Sequence, residues 1–339
     1  MIQRKYYKTV RVIVDSDGGG TPLYIENVDS KTGYFSLYKQ GSPTYTPNLN
    51  YRIDNGEWFE YDVTNLPRIE VPIGSKIYLK GGNDVGFNQS ELDYYKLNFH
   101  SSKTSSDDCK CNIGGYITSL LALENFNLIT HIPDYSFKSL FSVSRLLLSV
   151  ENLITSNITS VGNNSFKYCF NSCTSLVTAP MFDNITNVGN YGFNYCFEGC
   201  TSLVTAPTFS NVTKIGAMSF SNCFNNCISL VTAPTFENLT YSSTQTFQNC
   251  FTGCKSLITT PNFRKIITVS SSSSFDNCFK NCTSLKNIIA PRPSSWTTTY
   301  FNNWVQGVPA GGTFYKKSGL SIPTGTGGIP EGWTVIEEA

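Results

Sequence analysis

The chain has 339 residues, with 25 basic and 24 acidic side chains and a net charge of +1. Only 14% of residues are charged, where a typical globular domain has about 25%. This balance argues against a nucleic-acid-binding face and gives no pull towards an anionic membrane. The only histidines, His100 and His131, leave little room for chemistry that relies on imidazole.

At the N-terminus the apolar run Val10 to Val14 is short and broken by Arg11. A secretory leader needs about 7–15 apolar residues, and a membrane span about 20. The expectation is a soluble chain made in the cytoplasm, with no membrane insertion. TVRVIVD alternates, with Val10, Val12 and Val14 on one side, and SKIYLKGGN alternates with Ile77 and Leu79 on one face. Asn55-Gly56 lies between two alternating runs and predicts a hairpin with a primed turn. Residues 1–104 therefore read as an antiparallel, β-sandwich-like domain. Gly18-Gly19-Gly20 lacks the lysine and helix of a phosphate loop and reads as a plain loop. HSSKTSSDDCKCN, His100 to Asn112, reads as a Ser-rich linker. Its Cys109 and Cys111, beside Asp107 and Asp108, give only a weak metal signal. GGYITSLLALENF then opens an N-terminal cap on the repeats.

Repeats occupy residues 105–290. FKYCFNSCTSLVTAP starts at Phe166, and near-copies start at Phe193, Phe220, Phe247 and Phe275, at intervals of 27, 27, 27 and 28 residues. A degenerate copy starts at Phe137, with Leu140 and Ser144 in place of the two cysteines. Phe and Cys at i, i+3, i+4 and i+7 predict a two-turn helix with one apolar face. A short strand follows, with Leu176 and Ala179 inward and Pro180 at its end. A second strip, PTFSNVTKIG from Pro207, leads back to the next copy. One coil alone buries too little to fold, so neighbours must stack into a solenoid. Residues 291–339 break the period, and Trp304, Phe314 and Trp333 can plug the end of the stack.

The pattern F-x-x-C-F-x-x-C-x-S-L-x-x-x-P resembles the BspA-like leucine-rich repeat family of surface and adhesion proteins, of the kind found in gut Bacteroidales and their crAss-like phages. The resemblance covers about Ile117 to Pro291. The tail GIPEGWTV and the N-terminal GEW and GSKIYLKG are similar to segments that flank such repeats. The fold expected is mainly β with short helices: an N-terminal β domain, a leucine-rich-repeat solenoid of 27-residue coils, and a C-terminal cap.

The cysteine pairs Cys169/Cys173, Cys196/Cys200, Cys223/Cys227, Cys250/Cys254 and Cys278/Cys282 have three readings: zinc ligands, disulfides or reduced core. The Leu/Ser replacement in the degenerate copy favours a reduced core ladder. The Asn-x-Thr sequons at Asn157, Asn184, Asn211 and Asn238 follow the repeat and read as coil positions. No catalytic group, metal or cofactor is expected. The binding candidate is the strip Val177, Thr178, Val204, Thr205, Val231, Thr232, Ile258 and Thr259. Variable turn positions, among them Asn171-Ser172 and Glu198-Gly199, are expected to tune surface contacts.

The resemblance implies surface recognition without catalysis. The leading expectation is a phage virion component, a tail or head fibre or appendage. Its N-terminal domain would dock onto other virion proteins, and its repeats would face a host surface protein or polysaccharide. A bacterial cell-surface adhesin is the alternative, and a carbohydrate-active enzyme a third class that lacks an acidic pair. The sequence leaves a homo-oligomer open.

Overall fold

The computed structural model describes residues 10–13, 23–27, 33–39, 49–62, 64–65, 67–81, 95–100, 111–113, 130–132, 134, 137–145, 147–151, 158–269 and 273–339. The N-terminal part holds β1 (Val10–Ile13), β2 (Leu23–Asn27), β3 (Gly33–Lys39), β4 (Leu49–Ile53), β5 (Phe59–Glu60), β6 (Ile69–Val71), β7 (Lys76–Gly81), β8 (Tyr95–His100) and β9 (Cys111–Ile113). Two sheets form, ordered β1-β2-β7-β4-β5 and β6-β3-β8-β9, with every pair antiparallel. Phe35 of one sheet and Tyr51 of the other both meet Tyr61, at ring distances of 5.7 and 6.2 Å. Burying that tyrosine leaves its hydroxyl needing a partner, and it donates to the Pro67 carbonyl at 2.6 Å.

Two local expectations are corrected here. The β4–β5 hairpin forms, but positive φ falls on Asp54 (48°) and not on the Asn55-Gly56 pair. Asp54 is tied to β7: its N–H donates to the Lys76 carbonyl, and its carboxylate accepts the Lys76 N–H, both at 2.8 Å. That tertiary bond sets the turn in place of local preference. The stretch His100 to Asn112 is not a simple linker, because its two ends lie in β8 and β9, which pair antiparallel. The sheet thus extends past residue 104, to Ile113. Gly18 to Gly20, Asp107 to Cys109 and the expected cap segment GGYITSLLALENF lie outside the described residues.

Each repeat adds a two-residue strand on one side: β10 (His131–Ile132), β12 (Ser160–Val161), β13 (Asn187–Val188) and β14 (Lys214–Ile215) run parallel in one sheet. β15 (Tyr241–Ser242) and β16 (Thr268–Val269) continue the pattern as a separate parallel pair. β11 (Leu147–Glu151) belongs to the degenerate copy, yet it pairs in parallel with β1. Val177 and the Ser149–Thr178 bridge then join the first full coil to it. The N-terminal sheet is therefore continuous with the start of the repeats.

The predicted helix is absent. Among the described residues the only helical segment is a 3-10 turn at Thr298–Tyr300. The Phe-x-x-Cys-Phe-x-x-Cys segment is a chain of four-residue turns, closed by Cys169 N–H to Phe166 O (3.0 Å) and Cys173 N–H to Phe170 O (3.1 Å). Alternate N–H groups leave the coil: Phe166, Tyr168, Phe170 and Ser172 donate to carbonyls of Gly192, Asn194, Cys196 and Glu198 at 2.7–3.0 Å. An α-helix would spend those donors on its own carbonyls. Stacking instead requires left-handed residues every fourth position, and Asn164, Tyr168 and Ser172 have φ of 55–58°. A four-residue turn still returns to the same face, so Phe166, Cys169, Phe170 and Cys173 are all fully buried.

The interior is a set of aromatic ladders. Phe170, Phe197, Phe224, Phe251 and Phe279 stack at 5.1–5.4 Å with interplanar angles of 3–10°. At the far end β17 (Asn287–Ile289), β18 (Thr313–Lys317) and β19 (Thr334–Glu338) form a parallel sheet. Phe301 stacks on Phe275 at 5.1 Å, and Trp304 meets Phe279 edge-on at 5.8 Å. The buried Trp304 donates its indole N–H to Gly328 O at 2.8 Å. Gly312 must lack a side chain, because a Cβ there would lie 2.5 Å from the Trp333 ring. The described chain is thus mainly strand and turn, with essentially no helix.

Candidate recognition surfaces

The Ser-Leu-Val-Thr-Ala-Pro segment turns Leu and Ala inward and leaves Val and Thr outside. Val177, Val204, Val231 and Ile258 are 38–45% exposed, whereas Leu176, Leu203, Leu230 and Leu257 are fully buried. Thr178, Thr205 and Thr232 are exposed and Thr259 is half-buried. Their backbones link the coils in parallel: Val177 N–H donates to Leu148 O, Val231 N–H to Val204 O and Lys286 N–H to Ile258 O, at 2.8–2.9 Å. The candidate strip thus repeats an apolar and a hydroxyl group at the surface of each coil, and the Val204 and Val231 coils are joined directly through it.

Behind it the ten repeat cysteines are all free and buried. The second thiol of each pair donates to a phenylalanine carbonyl one coil back: Cys173 to Phe141, Cys200 to Phe170, Cys227 to Phe197, Cys254 to Phe224 and Cys282 to Phe251, at 2.9–3.1 Å. Burial, reinforced by neighbouring thiols, pushes Cys196 and Cys200 well above the usual thiol range. Such protonated thiols are poor nucleophiles and poor ligands. No cluster of three or more metal-ligating side chains occurs among the described residues. Leu140 and Ser144 are equally buried at the equivalent places.

The repeated sequons have a structural cause. Thr159, Thr186 and Thr213, the third residues of three Asn-x-Thr triplets, donate their hydroxyls to the carbonyls of Thr130, Thr159 and Thr186 at 3.0–3.3 Å. Asn211 donates its amide to Asp183 O at 2.7 Å; Asn157 lies outside the described residues. A second ladder caps backbone donors: Asn163 N–H reaches Asp134 Oδ1, Asn190 N–H reaches Asn163 Oδ1 and Ala217 N–H reaches Asn190 Oδ1, at 2.6–2.8 Å. Exposed His131 pairs through Nδ1 with Ser160 Oγ at 2.8 Å. His100 and Cys111 lie in β8 and β9.

One cluster was missed by sequence reasoning. The left-handed column of the turns carries Asn222, Asn249, Asn277 and Asn303 in later coils, with φ of 51–56°. In the first two full coils the same column holds Tyr168 and Tyr195, at 58° and 56°, and Tyr191 stands four residues before Tyr195 at 57°. Asparagine tolerates this region, whereas tyrosine has no local polar compensation, at a cost of about 1–3 kcal/mol each. Tyr168 and Tyr195 stack at 4.9 Å. The Lys167 ammonium lies 4.8 Å from the Tyr191 ring centre and 5.6 Å from that of Tyr168. Asn171 donates to Glu198 at 2.7 Å, and burial raises the Glu198 carboxyl despite that bond. The signal was present in the repeat alignment, as FKYC and FNYC against FSNC, FQNC and FDNC.

A family model described as BspA type leucine rich repeat region matches in six copies, over residues 118–266 and 167–304, together more than half of the chain. No curated protein and no solved structure matches the chain.

Proposed function

The chain belongs to the BspA-type leucine-rich repeat family, and from that premise we propose that it is a non-enzymatic surface-recognition protein of the adhesin type whose repeats stack as a solenoid. The observation that carries this reading is the Val/Ile–Thr row, exposed from Val177 to Ile258 over a fully buried Phe, Cys and Leu interior. Repeating coils hold such groups at constant spacing, which suits an extended partner. A host surface protein or polysaccharide is the partner class in this reading. The N-terminal sheets form a sandwich-like module that attaches the protein, and the aromatic C-terminal segment caps the stack. Continuity through β1 and β11 supports transmission of that attachment to the repeats.

The finer reading is a virion component. Its support is chemical: ten free, buried thiols fit a chain that folds in a reducing compartment before it meets a surface. Release of assembled particles by lysis provides that order. A cell-surface adhesin is the second reading, and the family favours it. Binding of purified protein to intact host cells tests recognition. A Val204→Lys/Val231→Lys double variant should lose at least tenfold in binding at unchanged thermal stability; retention of binding would remove the strip from the proposal. Mass spectrometry of purified particles, beside labelling of intact cells, separates the two locations.

A further inference from the structure

We infer that Tyr168, Tyr191 and Tyr195, with the Asn171–Glu198 pair, form a binding subsite for a neutral pyranose unit of a glycan. The inference rests on the recognition reading but assigns it a site away from the Val–Thr row. Three tyrosines occupy left-handed backbone within two consecutive coils, where later coils use asparagine in the Tyr168/Tyr195 column. In the third coil Asn222 is buried and accepts the Asn225 amide, so the position closes on itself. In the first two coils that closure is replaced by half-buried aromatic rings. The stack itself demands left-handed φ in this column, so half-buried tyrosine in place of asparagine sacrifices stability for an aromatic surface open to contact.

The chemistry of the ligand follows from the groups present. The half-buried rings offer apolar contact to a C–H face. The Asn171 amide and Glu198 carboxylate lie one turn further along the same two coils and offer a donor and acceptors to hydroxyls. A cationic ligand is disfavoured, because the Lys167 ammonium already faces the Tyr168 and Tyr191 rings. An anion is disfavoured by Glu198. A ring with one apolar face and a hydroxylated edge satisfies both conditions, and a neutral pyranose has that form.

Titration calorimetry of the full chain with glucose, galactose and mannose, and with neutral hexasaccharides of each, tests the assignment. At least one hexasaccharide should bind. Tyr168→Asn/Tyr195→Asn should weaken it more than tenfold while the thermal midpoint holds or rises, since asparagine is the residue the later coils use. Glu198→Gln should weaken binding several-fold at unchanged midpoint. A monosaccharide that binds as well as its hexasaccharide would support the same chemistry with a free-sugar source. Absence of binding to every sugar, undiminished binding by the tyrosine variant, or a lowered midpoint showing the rings to be a brace would overturn it. Cell binding measured in parallel keeps the two readings apart. If the tyrosine variant still adheres and the strip variant does not, only the subsite falls. If wild-type protein adheres to no cell, the recognition reading falls.

Discussion

Raising the pH should dismantle this protein earlier than its net charge suggests, through thiols that never touch solvent. In the folded coils burial holds Cys196 and Cys200 protonated, with pKa values well above the ordinary range. An unfolded thiol titrates near about 8.5. Below that pH both states keep the proton and the thiols have no effect on the pH dependence. Above it the unfolded chain releases protons that the folded chain retains, so stability falls as pH rises towards the folded values. Each thiol then weakens folding about tenfold per pH unit, and the two in a coil about a hundredfold, or ~3 kcal/mol. The control comes from the chain itself. Cys196→Leu/Cys200→Ser copies Leu140 and Ser144, which occupy the same buried places. Urea midpoints followed by circular dichroism in reducing buffer, at pH 7.5, 8.5, 9.25 and 10, should show wild type losing about 3–4 kcal/mol more than the variant between pH 8.5 and 10. Parallel curves, or a wild-type stability flat to pH 10, would refute the argument that these thiols are buried and protonated.

Other outcomes follow from the same geometry. Phe197→Ala removes a fully buried ring stacked at 5.1 and 5.4 Å between Phe170 and Phe224, and should cost about 3–5 kcal/mol by chemical denaturation. Pulsed maleimide labelling should then find Cys196 and Cys200 reacting at least ~100-fold faster than in wild type, if local opening governs access. Gly216→Ala would place a Cβ 2.5 Å from the Asn190 backbone nitrogen. Backbone cannot yield as a side chain can, so a lowered thermal midpoint and a loss of about 1–3 kcal/mol are expected. Glu338 is held below the usual carboxylate range chiefly by its hydrogen bond with Arg264, with Arg292 adding to it. Glu338→Gln should cost about 1 kcal/mol or less at pH 7. The difference from wild type should shrink as pH falls below about 4.3, where the unfolded carboxylate takes up a proton that the folded one still refuses.

Much of the repeat was legible from spacing alone. Any backbone that returns a side chain to one face about every fourth residue buries Phe166, Cys169, Phe170 and Cys173 together, so the core list did not depend on the backbone being helical. The backbone itself was not legible. Apolar periodicity of this kind fits a helix, and only the neighbouring coil, by accepting alternate N–H groups, makes a chain of turns the better use of those donors. The positive φ of the β4–β5 hairpin falls one residue before Asn55-Gly56 for a related reason, since Asp54 is claimed by Lys76 from a strand remote in sequence. The tyrosine cluster was visible as letters, but its strain and its stacking arise only once two coils are adjacent.

The sequence by itself determined the register of this protein. A period of 27 residues, 28 at the last step, sets which residues meet their equivalents, and inward Leu and Ala leave the Val and Thr between them outside. Leu140 and Ser144 already showed that the buried cysteine positions can be filled by other side chains. Only the tertiary structure decided what each polar group does. Backbone donors, three threonines of the Asn-x-Thr triplets and five of the buried thiols find partners one coil away. A hydrogen bond depends on where two groups stand in space, whereas burial in a repeat depends mainly on where one residue stands in its period.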